Sequence, residues 1–391
     1  MEVSVVRAVT MKHIEGGLSA YWKFILGTAF FNKEGHDLSK SGICLQLHDG
    51  TSAHLWLDLK YVVADEAALH YLYSCKGSAG IKPRMACTNI YNWRYKAREI
   101  VEKMHKARYH WTSDFDALVL HDFDSVSATV RSLEASQKTL SQHDFKEEET
   151  LLGWNLNPQG AMFDDECRKH VACKQVFDFM HVVFVQGVFN HCGGKLLRAM
   201  QEADMPMQNL HAYFKLWRLP KASPGLNNAA GAFHADRLRN SLAAGFFKCT
   251  ASEALSIYPI WAQYCQATMP GSAKDHSDCF LRLTRIVALW QRRARGLATA
   301  LELKNDSVKF LDQYKTLYGP DAMVIKFHYL LHLPMSPSLS CWVHERKHKW
   351  VKKYANNVHN TSGDWDRSVL REATAEHLQR LASLDSDFFH A

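Results

Sequence analysis

The chain has 391 residues, of which 47% are hydrophobic and 22% charged. That excludes global disorder and leaves room for two or three domains' worth of core. With 20 Gly and 10 Pro it is not a collagen-like or linker-like sequence. The 47 basic and 40 acidic residues leave a net charge of +7, which permits a polyanionic partner without demanding one.

No apolar run reaches the roughly 18 residues that a membrane span needs, so no membrane association is expected. The opening MEVSVVRAVTMKHIEGG lacks the apolar core and small-residue cleavage site of a secretion signal. A nuclear or cytoplasmic, non-secreted protein is expected, and its 10 cysteines read as reduced thiols rather than a disulfide scaffold. The 22 histidines invite a search for metal spacing.

In chain order, residues 2–32 carry helical spacing, broken at Gly16-Gly17. Residues 42–49 and 53–63 read as short strands joined by an Asp49-Gly50 hairpin turn. The second run passes through Asp65-Glu66 into a helix. An acid at the end of a strand suits catalysis or metal binding, and equally suits a helix N-cap. Residues 76–92 are Gly/Pro/Asn-rich and read as a loop, 93–108 as a basic helix, and 134–150 as a polar linker or exposed helix. Beyond 170 the pattern is almost wholly helical, with amphipathic stretches at 174–203, 207–217, 236–268, 275–303, 306–317 and 321–332 and a loop at 218–235.

Several constellations carry candidate chemistry. Asp178 and His181, three apart on one helical face, could meet one ion or phosphate; a carboxylate–imidazole pair in a helical core fits the same spacing. His328/His332 and His344/His348 have the i, i+4 spacing of zinc chelators but lack the acid of an HExxH motif. Cys167-x-x-His170-x-x-Cys173 and the pair Cys75 and Cys87 are weak thiolate candidates, because no CxxC is present. Residues 341–354 (CWVHERKHKWVKKY) set Arg346, Lys347, Lys349, Lys352 and Lys353 among Trp and Tyr, with one acid, Glu345. Residues 282–295 hold five Arg, including Arg292, Arg293 and Arg295, and no acid. Both stretches suit a phosphate backbone, and both could also be solvated faces. There is no GxSxG, no P-loop and no GxGxxG, which removes the commonest hydrolase, ATPase and dehydrogenase readings.

Taken in order, several pieces resemble CACTA-like transposases. They are VVADEAALHYLYSCKGSAGIKPRMACTNI (62–90), LLGWNLNPQGAMFDD followed by FDFMHVVFVQGVFN with its D-x-x-H signature, FFKCTASEALSIYPIW, and KFHYLLHLP with the later CWVHERKHKWVKKYANNV. The resemblance implies an RNase H-like nuclease, in which three carboxylates hold two Mg²⁺ or Mn²⁺ ions for in-line attack on phosphate. It would place Asp65 at the end of a strand, Asp178 and His181 in the D-x-x-H signature, and Glu345 as the third acid, with Glu253 as a rival. Asp65 and Glu345 would be the metal ligands.

Two departures stand out. The 41 residues before the first strand read as helix, so the first catalytic Asp is missing. Arg84 also stands where the pattern has its first Cys, which leaves Cys87 alone and makes zinc an unexpected cofactor. The expectation is an α+β, mostly helical chain, with a partial RNase H-like sheet of two to three antiparallel strands and a large α-helical body. Its segments are 1–95 (partial α/β), 96–150 (basic helix and polar linker) and 151–391 (helical body). The expected function is a truncated transposase-like remnant, without catalysis, that binds DNA. The alternatives are an active metal-dependent nuclease and a helical protein-interaction module.

Overall fold

A computed structural model describes residues 11–30, 37–46, 50–83, 86–217, 230–342, 367–372 and 374–375. The chain is α+β and mostly helical. Its strands form three separate two-stranded sheets among the described residues.

Helix α1 (Gly17–Phe30) starts at Gly16-Gly17, both in the left-handed region at φ 79° and 58°. The hairpin β1 (Ile43–Gln46) and β2 (Ser52–Leu55) is antiparallel, with Ile43 opposite Leu55. Here the run read as one strand over 53–63 divides. β3 (Val62–Ala64) leaves the hairpin and pairs in parallel with β6 (Gln175–Phe177), which lies more than 100 residues on. Val62 is buried in the same core as Phe177. The Val62 N–H donates to Lys174 O at 2.8 Å. The third strand is therefore parallel, not part of an antiparallel fragment.

After β3 come α2 (Glu66–Tyr73), β4 (Ile90–Tyr91), α3 (Tyr95–Lys103), β5 (Arg108–Tyr109), α4 (Phe123–Thr139), α5 (Gln142–Leu152) and α6 (Asp165–Val171). The polar 134–150 stretch is helical. Its Glu149 is 3% exposed, and its carboxylate takes Lys76 at 3.3 Å and Leu156 N–H at 2.8 Å, which fixes one end of the 76–92 loop.

The 174–203 stretch is not one helix. It is β6, then α7 (Phe179–Val183), then α8 (Val188–Glu202). Asp178 caps α7, and Gly187 separates the two helices. A Cβ at Gly187 would lie 2.3 Å from Val182 O, so only glycine admits this close turn. The remaining helices are α9 (Met207–Leu216), α10 (Ala235–Ala244), α11 (Ala251–Thr268), α12 (Lys274–Arg293), α13 (Ala300–Tyr318) and α14 (Ile325–Leu330). Gly245 at φ 73° and a Thr250/Glu253 capping box divide 236–268 into α10 and α11. A Thr299/Glu302 box starts α13 within the 275–303 stretch, which is therefore two helices and not one.

α12 is buried along Phe280, Leu283, Ile286, Val287 and Trp290 and packs against α8, α11 and α13. At the centre, Trp261 is fully buried. Its ring lies 4.6 Å from Phe280, 5.0 Å from Phe247 and 5.1 Å from Phe233. One cluster of buried side chains runs from Leu26 to Leu333, so the β3/β6 pair is anchored in the same core as the helices. Trp261→Ala should cost about 3–5 kcal/mol of unfolding free energy, read as a lower urea midpoint. A change under about 1 kcal/mol would contradict this packing.

Candidate functional site

The paired strands β3 and β6 end side by side, with Ala64 opposite Phe177. Asp65 and Asp178 are the next residue on each strand, so two strand–Asp–helix units lie next to each other. The reason is local. Val-Val-Ala and Gln-Val-Phe are half-buried to buried strand sequences, and an Asp that follows such a run is a preferred N-cap. Asp65 Oδ1 accepts from Ala68 N–H at 2.6 Å at the start of α2. Asp178 Oδ2 accepts from His181 N–H at 3.0 Å at the start of α7.

The two carboxylates differ in what else they meet. Asp178 has no exposed side-chain surface. Its Oδ2 also lies 2.5 Å from His181 Nδ1, and a carboxylate only accepts, so Nδ1 carries the proton. Its Oδ1 accepts from Cys341 N–H at 2.7 Å. Burial pushes the Asp178 carboxyl up, but the His181 imidazole and the Cys341 and His181 N–H groups more than offset it. The net position lies below the usual 3.8. Asp65 is only half-buried.

α14 closes the other side. Lys326 donates to Val185 O at 2.5 Å and to His181 O at 3.2 Å. Burial pushes its ammonium pKa down, while Glu66 and Asp65 work against that. Tyr329 donates to Glu66 at 2.9 Å, and its ring stacks on Phe177 at 4.6 Å. Sequence reasoning does not single out Glu66, Lys326 or Tyr329. The signal available is Lys326-x-x-Tyr329 on one helix face, which has no meaning until β6 is placed against it.

The other candidate residues lie elsewhere. Glu253 pairs with Arg237 at 2.8 Å and closes the cap of α11. Glu345, Arg346, Lys347, Lys349, Lys352 and Lys353 lie outside the described residues. On α12, Arg282 and Arg285 both turn to Asp306, with Arg285 Nε at 2.7 Å. Arg293 is half-buried and donates to Leu333 O at 3.1 Å. Arg292 and Arg295 are exposed, and Arg292 donates to Leu297 O. Cys167 and Cys173 have thiols pushed up by burial, to about 12 and about 11, which is poor for thiolate chemistry. Among the described residues no helix is long and apolar enough to cross a membrane.

No protein-family model, curated protein or solved structure matches the chain.

Asp178→Asn should destabilise the protein by about 1.5–3 kcal/mol at pH 7, the range for hydrogen bonds to a charged group. Because the folded carboxyl titrates below its unfolded value, its contribution is full above the ordinary carboxyl range and fades as the pH falls through the folded pKa. The wild-type and variant denaturation midpoints should therefore converge in acid. A gap that persists unchanged at low pH would contradict this.

Proposed function

We propose that the chain is a transposase-like protein that binds DNA and does not cleave it. The observation that carries this reading is the juxtaposition of Asp65 and Asp178 at the ends of adjacent parallel strands, combined with the state of Asp178. Paired acids at neighbouring strand ends are what the resemblance to RNase H-like nucleases calls for. A two-metal site, however, needs carboxylate oxygens open to ions that keep several waters. Asp178 offers no exposed surface, and both of its oxygens already accept N–H groups from the protein. Close by, Lys326 places an ammonium where it feels Asp65 and Glu66. This donor set does not fit a pair of Mg²⁺ or Mn²⁺ ions, so no catalytic step runs through them.

Residual DNA affinity rests on the net charge of +7 and on Arg292 and Arg295 at the exposed end of α12. The capture of Arg282 and Arg285 by Asp306 narrows that basic face and favours the second reading, a helical protein-interaction module.

A salt titration of duplex-DNA binding separates these readings. The DNA-binding account predicts affinity that falls steeply with salt. Arg292→Ala and Arg295→Ala should each make the salt slope shallower by about 1, the share of one neutralised phosphate. It predicts no strand cleavage with Mg²⁺ or Mn²⁺. Absence of binding at low salt would favour the interaction module. Cleavage that disappears in Asp65→Ala would establish an active nuclease.

A further inference from the structure

A second buried group lies at the C-terminal end of α14. Cys87 from the 76–92 loop meets His328 and His332. All three are out of solvent, at 0%, 0% and 4% exposure. Cys87 Sγ lies 3.3 Å from His332 Nε2, which lies 3.0 Å from His328 Nε2, and the three atoms are mutually within 4.8 Å.

We propose that Cys87, His328 and His332 form a zinc site that fastens the 76–92 loop to α14. The donor set is one thiolate and two imidazoles, the soft and borderline ligands that zinc takes. In a tetrahedral site with Zn–S of about 2.3 Å and Zn–N of about 2.05 Å, N···N would be about 3.3 Å and S···N about 3.6 Å. The observed separations are about 0.3 Å shorter, so a small outward movement of each side chain admits the ion. The i, i+4 spacing of the histidines brings both Nε2 atoms to one point. Among the described residues three protein ligands are present, and a four-coordinate ion would take one more. His332 and Ala86 also line a cavity of about 200 Å³ beside β6, which supplies the room. On binding, the Cys87 thiol loses its proton to solvent and both imidazoles coordinate as neutral ligands.

The ion would join segments 245 residues apart. Cys87 also bridges to Leu120, so the staple would hold three segments against the β6 edge. The rival group, Asp178–His181–Cys341, is less suited, because both Asp178 oxygens already accept backbone or imidazole N–H groups. The zinc site shares no residue with the proposed DNA-binding face, so either can fail without the other.

The test is a Co²⁺ titration of the full chain, with Co²⁺ as the spectroscopic stand-in for Zn²⁺, alongside metal analysis of the protein as purified. The site predicts a sulfur-to-cobalt charge-transfer band that saturates at one ion per chain and is displaced by zinc. Cys87→Ser should abolish the band, and His332→Ala should weaken binding at least about 10-fold, since even outer-shell changes cost that much. Cys341→Ser and Cys173→Ser should leave the band in place. If the folded wild type gives no band and holds no zinc, the proposal is overturned whatever the variants do. A band lost in Cys341→Ser and kept in Cys87→Ser would overturn it as well.

Discussion

The Asp178 carboxylate is the constraint on which this end of the molecule depends. A buried charge is tolerated only when its lone pairs are met, and here one carboxylate takes His181 N–H, His181 Nδ1–H and Cys341 N–H. Those bonds set where β6 stops, start α7 and draw the chain at Cys341 back onto the β3/β6 pair. Phe177 stacks on Tyr329 on one side, and Lys326 caps carbonyls left by α7 and the turn that follows. The same bonds that build the corner occupy three of the roughly four lone-pair positions that a divalent ion would draw on.

That conflict gives the functional reading its form. Two aspartates at adjacent parallel strand ends are a good beginning for a nuclease. The proposed reading without cleavage rests on one of them being out of solvent with both oxygens bonded, and on an ammonium standing near the other. The chemistry best suited to metal lies at the C-terminal end of α14, in sulfur and imidazole rather than carboxylate. One short helix and the turn after it thus serve two unlike polar groups, Lys326 and Tyr329 in one, His328 and His332 in the other.

Much of the fold is legible where local signals act alone. The Asp49-Gly50 signal in the sequence falls between the antiparallel β1 and β2, the Gly16-Gly17 break marks the start of α1, and Asp65 stands at a strand-to-helix junction as its N-cap geometry requires. The signal fails where partners are far apart in the chain. Val62–Ala64 cannot announce a parallel partner at 175–177, and a strand of three residues inside an apolar helical pattern leaves no periodicity to read. The same holds for the candidate sites. The histidine spacing of 328 and 332 is visible, but Cys87 at a separation of 245 from His332 reads as a solitary thiol in the sequence. The Arg run on α12 reads as a basic face because the acid that engages two of its members, Asp306, lies on the next helix.

Manganese calorimetry tests the central claim most directly. With one equivalent of zinc present to saturate the Cys/His group, Mn²⁺ is titrated into the wild type and into Asp65→Ala. If Asp178 is committed to the protein's own N–H groups, the two titrations should be alike and show no tight binding. Tight Mn²⁺ binding that disappears in Asp65→Ala would mean that the aspartates open to metal, and the account of Asp178 as a closed structural carboxylate would be wrong.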